Sequence, residues 1–317
     1  MQQPVPQANS SFSTLIPSLQ LAWDSTSLNA LKTCPRLYQY TIVEGYAPRM
    51  QSVHLQFGVW MHEGKEHYDR ALACGAEHDD AVLQSIRYIM ANTWDKERNR
   101  PWISDDPNKN RATLVRTLIW YFEHYKDDSI TTVKFADGSP AVELSFSFDT
   151  SYKSSAGETF LLCGHIDRLG QMNDKTFPCD VKTTKYTLDD KFFAGFAPHN
   201  QFTLYSLAAR TVYNLPTYGL VVDGCQIAVT FSRFERRTSP RDEAQLNEWY
   251  ADLGHWLQVA EGYATAGWWP MNEASCGNYG GCPFRRVCSK PPSIRRQWLQ
   301  SDFVHRVWDP LQVRGDI

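Results

Sequence analysis

Apolar residues recur along the chain with two different periods, which separate helical segments from strand segments. A helical period predicts helices over 24–38, 53–74 and 243–266, and two helices within 79–126 that are broken around 101–107. The first begins at a group of capping residues, Asp24–Ser27, and Pro35 interrupts it. A period of two over 141–148 places Val142, Leu144 and Phe146 on one side of a strand. Helices and strands are therefore both expected.

Two short apolar runs, Phe160–Gly170 and Phe177–Val181, flank a polar turn at Asn173-Asp174 and predict a β-hairpin. A run rich in β-branched residues, 218–231, predicts another buried strand, which continues through the basic segment 232–237. The elements together predict an α/β fold in which helices flank a central mixed β-sheet.

Composition permits a large core, because 42% of the 317 residues are apolar and eleven are tryptophan. We predict one domain over 21–290 with a helical insert at about 76–130. Residues 1–20, rich in Gln, Ser and Pro, are expected to form a flexible leader, and residues 291–317 form a C-terminal tail.

The net charge of -3 provides no overall positive field that would attract nucleic acid, so any DNA contact must come from local basic patches. No apolar run approaches the roughly 18 residues of a membrane-spanning helix, and the N-terminus lacks the pattern of a secretory signal. We expect a cytoplasmic protein without a membrane partner. Its eight cysteines then argue against a disulfide scaffold.

The predicted hairpin carries the strongest chemical signal. Asp180 and Lys182 stand two residues apart, so they project to the same face, where Asp167 of the preceding strand can join them. Paired carboxylates are costly to bury unless a cation neutralises them, and their hard oxygens suit Mg²⁺ or Mn²⁺. The alternative is a solvated hairpin with ordinary surface charges.

Two helices contribute further candidates. His62 is predicted to share an inward face with Leu55, Gly58 and Val59, and Gly58 would permit close approach of another element. An inward histidine can instead be an ordinary hydrogen-bonded core residue. On a later helix Gln201 and Tyr205 are adjacent at i and i+4, a pattern that is weak without its context.

Three cysteines, Cys276, Cys282 and Cys288, follow one another with five residues between neighbours in a Gly-rich segment. Cys34 is a candidate fourth ligand that would connect the beginning of the chain to its end. Four thiolates suit an iron-sulfur cluster or zinc, and zinc sites more often show the tighter Cys-x2-4-Cys spacing. Unligated reduced cysteines remain the third possibility.

These residues resemble one known family. The segments Gly164-His-Ile-Asp167 and Asp180-Val-Lys182-Thr-Thr-Lys185 resemble motifs II and III of the PD-(D/E)XK nuclease superfamily, in its RecB-like branch. Gly58-x-x-x-His62 is similar to motif I, and Gln201-x-x-x-Tyr205 to the motif that follows the lysine strand. One early and three late cysteines resemble the [4Fe-4S] arrangement of AddB-type and CRISPR-adaptation nucleases.

The resemblance implies a restriction-endonuclease-like core and a Mg²⁺- or Mn²⁺-dependent deoxyribonuclease. His62, Asp167, Asp180 and the Val181 carbonyl would bind the metal, and Lys182 would position the attacking water. Gln201 and Tyr205 would support the DNA. Cys34, Cys276, Cys282 and Cys288 would hold the iron-sulfur cluster, and the further candidates for DNA contact are Lys185, Arg233, Arg236 and Arg237.

Family members of this kind are often exonucleases that act on DNA ends or single strands in recombination and repair, many of them in phages. A helicase, a recombinase or a single-strand-binding protein is the partner that the resemblance implies. Two other classes remain open. One is a catalytically silent DNA-binding subunit of a helicase-nuclease or CRISPR-adaptation complex. The other is a protein-interaction module whose fold is held together by zinc or iron and whose acidic site is incidental. One departure is Asp180, where many members have glutamate.

Overall fold

The computed structural model describes residues 11–217 and 219–312 of the chain. These residues form two compact units. Unit 1 comprises Ser52–Ser145 and His165–Asp242, and unit 2 comprises 11–51, Phe146–Gly164 and 243–312. The division into one domain with a leader and a tail stays a prediction.

The strands, in chain order, are β1 (Ala22–Trp23), β2 (Tyr46–Pro48), β3 (Trp94–Asp95), β4 (Arg100–Pro101), β5 (Thr131–Thr132), β6 (Val142–Lys153), β7 (Thr159–Met172), β8 (Lys175–Thr184), β9 (Leu220–Ile227), β10 (Ser232–Ser239) and β11 (Phe303–His305).

The α-helices are α1 (Ser25–Thr33), α2 (Pro35–Tyr38), α3 (Val53–Ala73), α4 (His78–Asn92), α5 (Arg111–His124), α6 (Asp190–Ala194), α7 (Asn200–Thr211), α8 (Glu243–Ala266), α9 (Arg285–Cys288) and α10 (Pro292–Asp302). A π-helical turn covers Gln39–Val43, and 3-10 turns cover Glu273–Ser275 and Asn278–Gly280.

The sheet of unit 1 is mixed. β7 and β8 pair antiparallel and meet at Met172 and Lys175. Asn173 and Asp174 form the intervening two-residue turn with φ of 49° and 61°, a left-handed conformation that Asn and Asp tolerate well. β8 then pairs parallel with β9, which pairs antiparallel with β10. The predicted hairpin is confirmed with its turn.

Helices cover both faces of this sheet. Phe57 and Met61 of α3 pack with Leu118 of α5 in a core that includes Val181 of β8. On the other face, the ring of Phe202 on α7 lies 5.5 Å from Lys182 Nζ. The predicted α/β fold, a mixed sheet flanked by helices, is confirmed.

Two local predictions are wrong. The inward face of α3 carries Phe57 and Met61, whereas Leu55 and Val59 are 61% and 42% exposed. The apolar run 218–231 and its basic continuation form two strands instead of one, because a turn closed by the Ala228 N–H and the Phe231 carbonyl reverses the chain.

Residues near both ends of the described part of the chain contribute to unit 2. Residues 1–10 of the predicted leader and 313–317 of the predicted tail lie outside the described residues. Leu19 is fully buried, and the Leu21 carbonyl accepts a hydrogen bond from the Leu161 N–H, so residues 11–20 pack instead of extending freely. In the tail, α10 is followed by β11, which pairs antiparallel with β2.

Among the residues described, none of the helices combines the length and the apolar character that crossing a membrane requires.

Gly64, and not Gly58, is the position in α3 where another helix approaches closely. A Cβ at Gly64 would lie 2.7 Å from Leu118 Cδ1, and Leu118 is fully buried, whereas a Cβ at Gly58 would meet nothing within 4 Å. We expect Gly64→Ala to lower the free energy of unfolding, since overpacking costs about 1–3 kcal/mol. Gly58→Ala should raise it by up to about 1 kcal/mol through helix propensity.

Urea unfolding of the two variants beside the wild type measures both changes. Equal stabilisation by the two substitutions would contradict the close packing of α3 against α5.

Candidate active site

Strand alternation separates the side chains of β8 onto two faces of the unit 1 sheet. Val181 joins the core below α3 and α5, so Asp180 and Lys182 project to the opposite face. The β7–β8 register pairs Arg168 with Cys179, and one further step along it places Asp167 opposite Asp180. The hairpin therefore brings the two predicted carboxylates side by side.

Lys182 connects these carboxylates to α7. Its Nζ lies 2.8 Å from Asp180 Oδ2 and donates a hydrogen bond of 3.0 Å to Gln201 Oε1. Gln201 Nε2 in turn donates to the Tyr205 hydroxyl at 2.8 Å. Since Gln201 and Tyr205 are one helical turn apart, α7 presents both to the strand. The four predicted residues form one continuous hydrogen-bonded chain.

His62 reaches the same place from α3. Its Nδ1 lies 2.9 Å from Asp167 Oδ2, and the two side chains are 25% and 21% exposed. We call His62, Asp167, Asp180, Lys182, Gln201 and Tyr205 the Lys182 cluster. The structure brings together every predicted side chain of this set.

The two carboxyl groups of the cluster differ in their surroundings. Burial raises the pKa of Asp180 to about 6, although the neighbouring Lys182 charge opposes that shift. Burial also acts to raise the pKa of Asp167, but the charge and hydrogen bond of His62 outweigh it and hold that pKa below its ordinary value. The pKa of His62 is raised in return: burial opposes the shift, and Asp167 overcomes it.

These residues have the chemistry that a divalent cation requires. Asp167 Oδ2 and Asp180 Oδ2 are buried, and among the described residues neither accepts a hydrogen bond of good geometry. Asp167 Oδ2 contacts the His62 imidazole instead, and Asp180 Oδ2 contacts the Lys182 ammonium. Carboxylate oxygens and an imidazole nitrogen suit Mg²⁺ or Mn²⁺, so the set fits a metal.

The three proposed metal ligands are not yet gathered around one point. In the part of the chain described, only His78, Asp79 and Glu123 place three ligand atoms within 4.8 Å of one another. The ligand atoms of His62, Asp167 and Asp180 are therefore farther apart than that. Joint binding of an ion by His62, Asp167 and Asp180 would therefore require side-chain movement.

Two residues beside the cluster extend it. Glu143 of β6 is buried with φ of 50°, a strained conformation for glutamate. Burial raises the pKa of Tyr205, and the negative charges of Asp167, Asp180 and Glu143 add to that shift. Sequence reasoning missed His199, which precedes α7. Burial and then Lys182 lower the pKa of His199 to about 4, so its imidazole is neutral at pH 7.

The predicted DNA-contacting cations divide into two groups. Arg233 and Lys185 are exposed and available to a ligand. Arg236 is not, because it pairs with Asp223 and with Asp128, whose Oδ1 lies 2.6 Å from Arg236 Nη1. Contact of Arg236 with DNA stays a prediction, and it would require Arg236 to leave these carboxylates.

Arg237 also has protein partners. Its guanidinium hydrogen-bonds to Glu235 Oε1 at 2.6 Å and to Asp190 Oδ1 at 2.7 Å. Contact with a phosphate would require Arg237 to leave carboxylates that already satisfy it.

The predicted four-cysteine site is not supported. Cys34, Cys276, Cys282 and Cys288 all belong to unit 2, but across the described residues no three of their sulfurs lie within 4.8 Å of one another. Cys34 Sγ accepts from the Asn272 N–H at 3.3 Å, and the Cys282 N–H donates to the Cys276 carbonyl. Burial raises the pKa of Cys282, and the nearby Cys276 and Cys34 add to that shift. Burial also raises the pKa of Cys288, and Cys282 and Cys34 add to it.

One family model and two solved structures are similar to this chain. Residues 23–289 match the family model described as the PD-(D/E)XK nuclease superfamily. A solved structure named "Putative exonuclease", from Eubacterium rectale, is 10% identical, with 87% of this chain and 92% of that chain covered and a TM-score of 0.47. A second, "SSO0001", is 11% identical over 75% of this chain and 77% of that chain, with a TM-score of 0.28. No curated protein matches the chain.

Metal binding distinguishes the Lys182 cluster from the group formed by His78, Asp79 and Glu123. We expect Asp180→Asn to weaken Mn²⁺ binding at least about tenfold, because it removes the charge of a proposed ligand. Glu123→Gln, which neutralises an exposed carboxylate of the other group, should leave the affinity unchanged.

Isothermal titration calorimetry of Mn²⁺ into the wild type and both variants measures these affinities. Binding that survives Asp180→Asn and disappears in Glu123→Gln would contradict the assignment.

Proposed function

Because the chain belongs to the PD-(D/E)XK nuclease superfamily, we propose that it is a Mg²⁺- or Mn²⁺-dependent deoxyribonuclease that degrades DNA from its ends. The observation that carries this proposal is the arrangement of Asp167 and Asp180 on adjacent strands, with Lys182 held between Asp180 and Gln201. A cation, two carboxylates and hydrogen-bonding groups at one place match the needs of phosphodiester hydrolysis.

The metal would be held by His62, Asp167 and Asp180, together with the Val181 carbonyl. Mg²⁺ or Mn²⁺, when bound, polarises a phosphoryl oxygen and lowers the pKa of a water molecule.

The protein's own groups would do the positioning. Lys182 is 26% exposed and fixed at two points, so its ammonium can hold a water beside the scissile phosphate and stabilise the negative charge that develops there. Gln201 orients Lys182 through its Oε1 and Tyr205 through its Nε2. Neutral Tyr205, whose pKa burial raises well above its usual value, can donate its hydroxyl to the DNA backbone.

A role on DNA ends or single strands in recombination and repair is the finer part of the proposal. It rests on the RecB-like resemblance of Gly164–Asp167, Asp180–Lys185 and Gln201–Tyr205. A helicase, a recombinase or a single-strand-binding protein as partner stays a prediction.

A catalytically silent DNA-binding subunit is the second candidate. The completeness of the Lys182 cluster argues against it, because a site without catalytic function has no need to keep two buried carboxylates beside a paired lysine and histidine. Buried charges of this kind reduce stability unless they are compensated.

Cleavage of end-labelled linear DNA, beside a covalently closed circle, tests the activity directly. In Mn²⁺ we expect loss of the linear substrate only, and no cleavage in EDTA. Lys182→Ala should reduce the rate by about 10²–10³-fold, since a charge-stabilising donor is lost, and Asp167→Ala should reduce it at least as much.

The matched control is Asp80→Ala, which removes an exposed carboxylate of α4 in unit 1 and should leave the rate unchanged. Nicked circles would indicate an endonuclease. Folded protein that cleaves none of these substrates would contradict the enzymatic proposal.

Exposed cations should carry the DNA affinity. Arg233→Ala combined with Lys185→Ala should weaken binding and reduce the slope of log affinity against log salt by up to about 1 for each lost phosphate contact. Lys153→Ala, an exposed lysine of unit 2, is the control.

Fluorescence anisotropy of labelled DNA, in EDTA over a range of salt concentrations, measures the slope. An unchanged slope in the double variant would remove Arg233 and Lys185 from the DNA surface.

A further inference from the structure

Helix α5 of unit 1 carries apolar side chains on its outer face as well as on its buried face. Leu114 and Leu118 are fully buried in the core with α3. On the opposite side of the helix, Ile119 is half-buried, and Ala112 and Trp120 are exposed. A helix at a protein surface normally carries polar residues on that side. An exposed apolar face of this kind indicates a binding surface.

The outer face of α5 forms part of a groove of about 740 Å³. Met90 of α4 also lines the groove, and so do Trp102 and Ile103, which follow β4. Ile103 and Trp120 are 61% and 42% exposed, so the groove is open to a ligand. The Trp102 ring packs edge-on against Trp60, with the centroids 4.5 Å apart, which fixes its orientation. We call this space the Trp120 groove.

The charged residues that line the Trp120 groove are both arginines, Arg111 and Arg116, and the lining includes no carboxylate. Their printed acceptors are hydroxyls and backbone carbonyls: Arg111 Nε donates to Thr93 Oγ1 at 2.9 Å, and Arg116 Nη2 donates to the Ala228 carbonyl at 2.6 Å. Among the residues that the structure describes, neither arginine has a carboxylate partner. The groove therefore has two positive charges that an anionic ligand would neutralise.

Each of these arginines lies against a tryptophan ring. The guanidinium carbon of Arg116 is 5.2 Å from the ring centroid of Trp120, and that of Arg111 is 5.7 Å from the ring centroid of Trp94. Trp94 is 40% exposed. Flat aromatic rings and positive charges thus alternate along one surface. Proteins that bind single-stranded nucleic acid use this combination, because bases stack on the rings while cations contact the phosphates.

We propose that the Trp120 groove binds single-stranded DNA, with bases against Trp120 and Trp102 and phosphates beside Arg111 and Arg116. This inference rests on the proposed nuclease function and assigns the surface that holds a single strand outside the Lys182 cluster.

Other ligands fit the groove less well. The base faces of duplex DNA are already stacked on one another, so a duplex cannot use the tryptophan rings. An apolar partner helix would cover the outer face of α5, but it would place Arg111 and Arg116 against apolar side chains, which is costly for charges without a carboxylate. A single strand supplies both apolar rings and negative charge.

Trp120 also links the groove to the strand that carries Lys182. It lines a second concavity together with Arg233 of β10 and with Thr187, which lies three residues beyond the end of β8. The carboxylates of that concavity, each engaged by a protein side chain, are Glu123 and Glu235. A strand in the Trp120 groove would therefore pass Arg233, a proposed DNA contact, on the side where β8 ends.

Fluorescence anisotropy with a labelled oligothymidylate and with a blunt duplex, both in EDTA, tests the proposal without cleavage. Trp120→Ala should weaken binding of the single strand about tenfold or more, because a base loses its stacking partner, and should leave binding of the duplex unchanged. Trp120→Phe, which keeps a ring, should retain most of the affinity. The control is Trp268→Ala, which removes a tryptophan of unit 2 that is 63% exposed and should bind like the wild type.

The two arginines are tested by the salt dependence of single-strand binding. Arg111→Gln combined with Arg116→Gln should reduce the slope of log affinity against log salt by up to about 0.7 for each lost phosphate contact. Lys153→Gln combined with Arg285→Gln removes the same charge from exposed positions of unit 2 and should leave the slope unchanged.

Ultraviolet crosslinking to strands that contain iododeoxyuridine, followed by peptide mass spectrometry, locates the bound strand. We expect crosslinks at Trp120 or Trp102. Circular dichroism of each variant checks that it is folded.

The proposal is overturned if folded Trp120→Ala binds the single strand like the wild type, if duplex binding falls equally, or if all crosslinks lie outside the groove. The first of these results would leave the outer face of α5 to a protein partner. Binding in EDTA and cleavage in Mn²⁺ are separate measurements. Wild type that binds single strands through the groove but cleaves no DNA would therefore support the groove and contradict the nuclease.

Discussion

Unit 1 depends on one constraint: charges buried in its sheet must be paired. On one face, Asp167 and Asp180 face His62 and Lys182. On the other, Asp69, Asp128 and Asp223 face Lys65, Arg168 and Arg236. An unpaired charge in such a place costs several kcal/mol. The positions of α3 and β10, which supply His62 and Arg236, are therefore tied to Asp167 of β7 and Asp223 of β9.

The two faces differ in how completely protein groups satisfy the buried carboxylates. On the Arg168 face, the Asp223 carboxylate is fully satisfied by Arg236 and by the Tyr121 hydroxyl at 2.5 Å. On the cluster face, one oxygen of each carboxylate has a protein cation in place of well-formed hydrogen bonds. His62 and Lys182 therefore stabilise the carboxylates without saturating them. A bound divalent ion can neutralise part of the carboxylate charge. Ion binding, which the function needs, would then also stabilise the site.

Local patterns predicted much of this. The hairpin, its Asn173-Asp174 turn and the common face of Asp180 and Lys182 follow from a period of two, which fixes both structure and register. The sequence could not show which face of α3 is buried, because exposed Leu55 and Val59 are as apolar as buried Met61. The ion pair between Arg236 and Asp128, 108 residues apart, could not be predicted, because spacing carries no information about such contacts. The cysteine spacing likewise could not show how far apart the sulfurs lie, because that depends on contacts between distant residues such as Cys34 and Asn272.

The most direct measurement is the position of Mn²⁺ in crystals of the protein, located by anomalous diffraction. We expect a peak between Asp167 and Asp180, within about 2–2.6 Å of an oxygen from each, as for a hard cation bound by carboxylates. His62 would then be turned from Asp167 toward the ion. A peak confined to His78, Asp79 and Glu123, with Asp167 still paired to His62, would contradict the assignment of the Lys182 cluster as the catalytic centre.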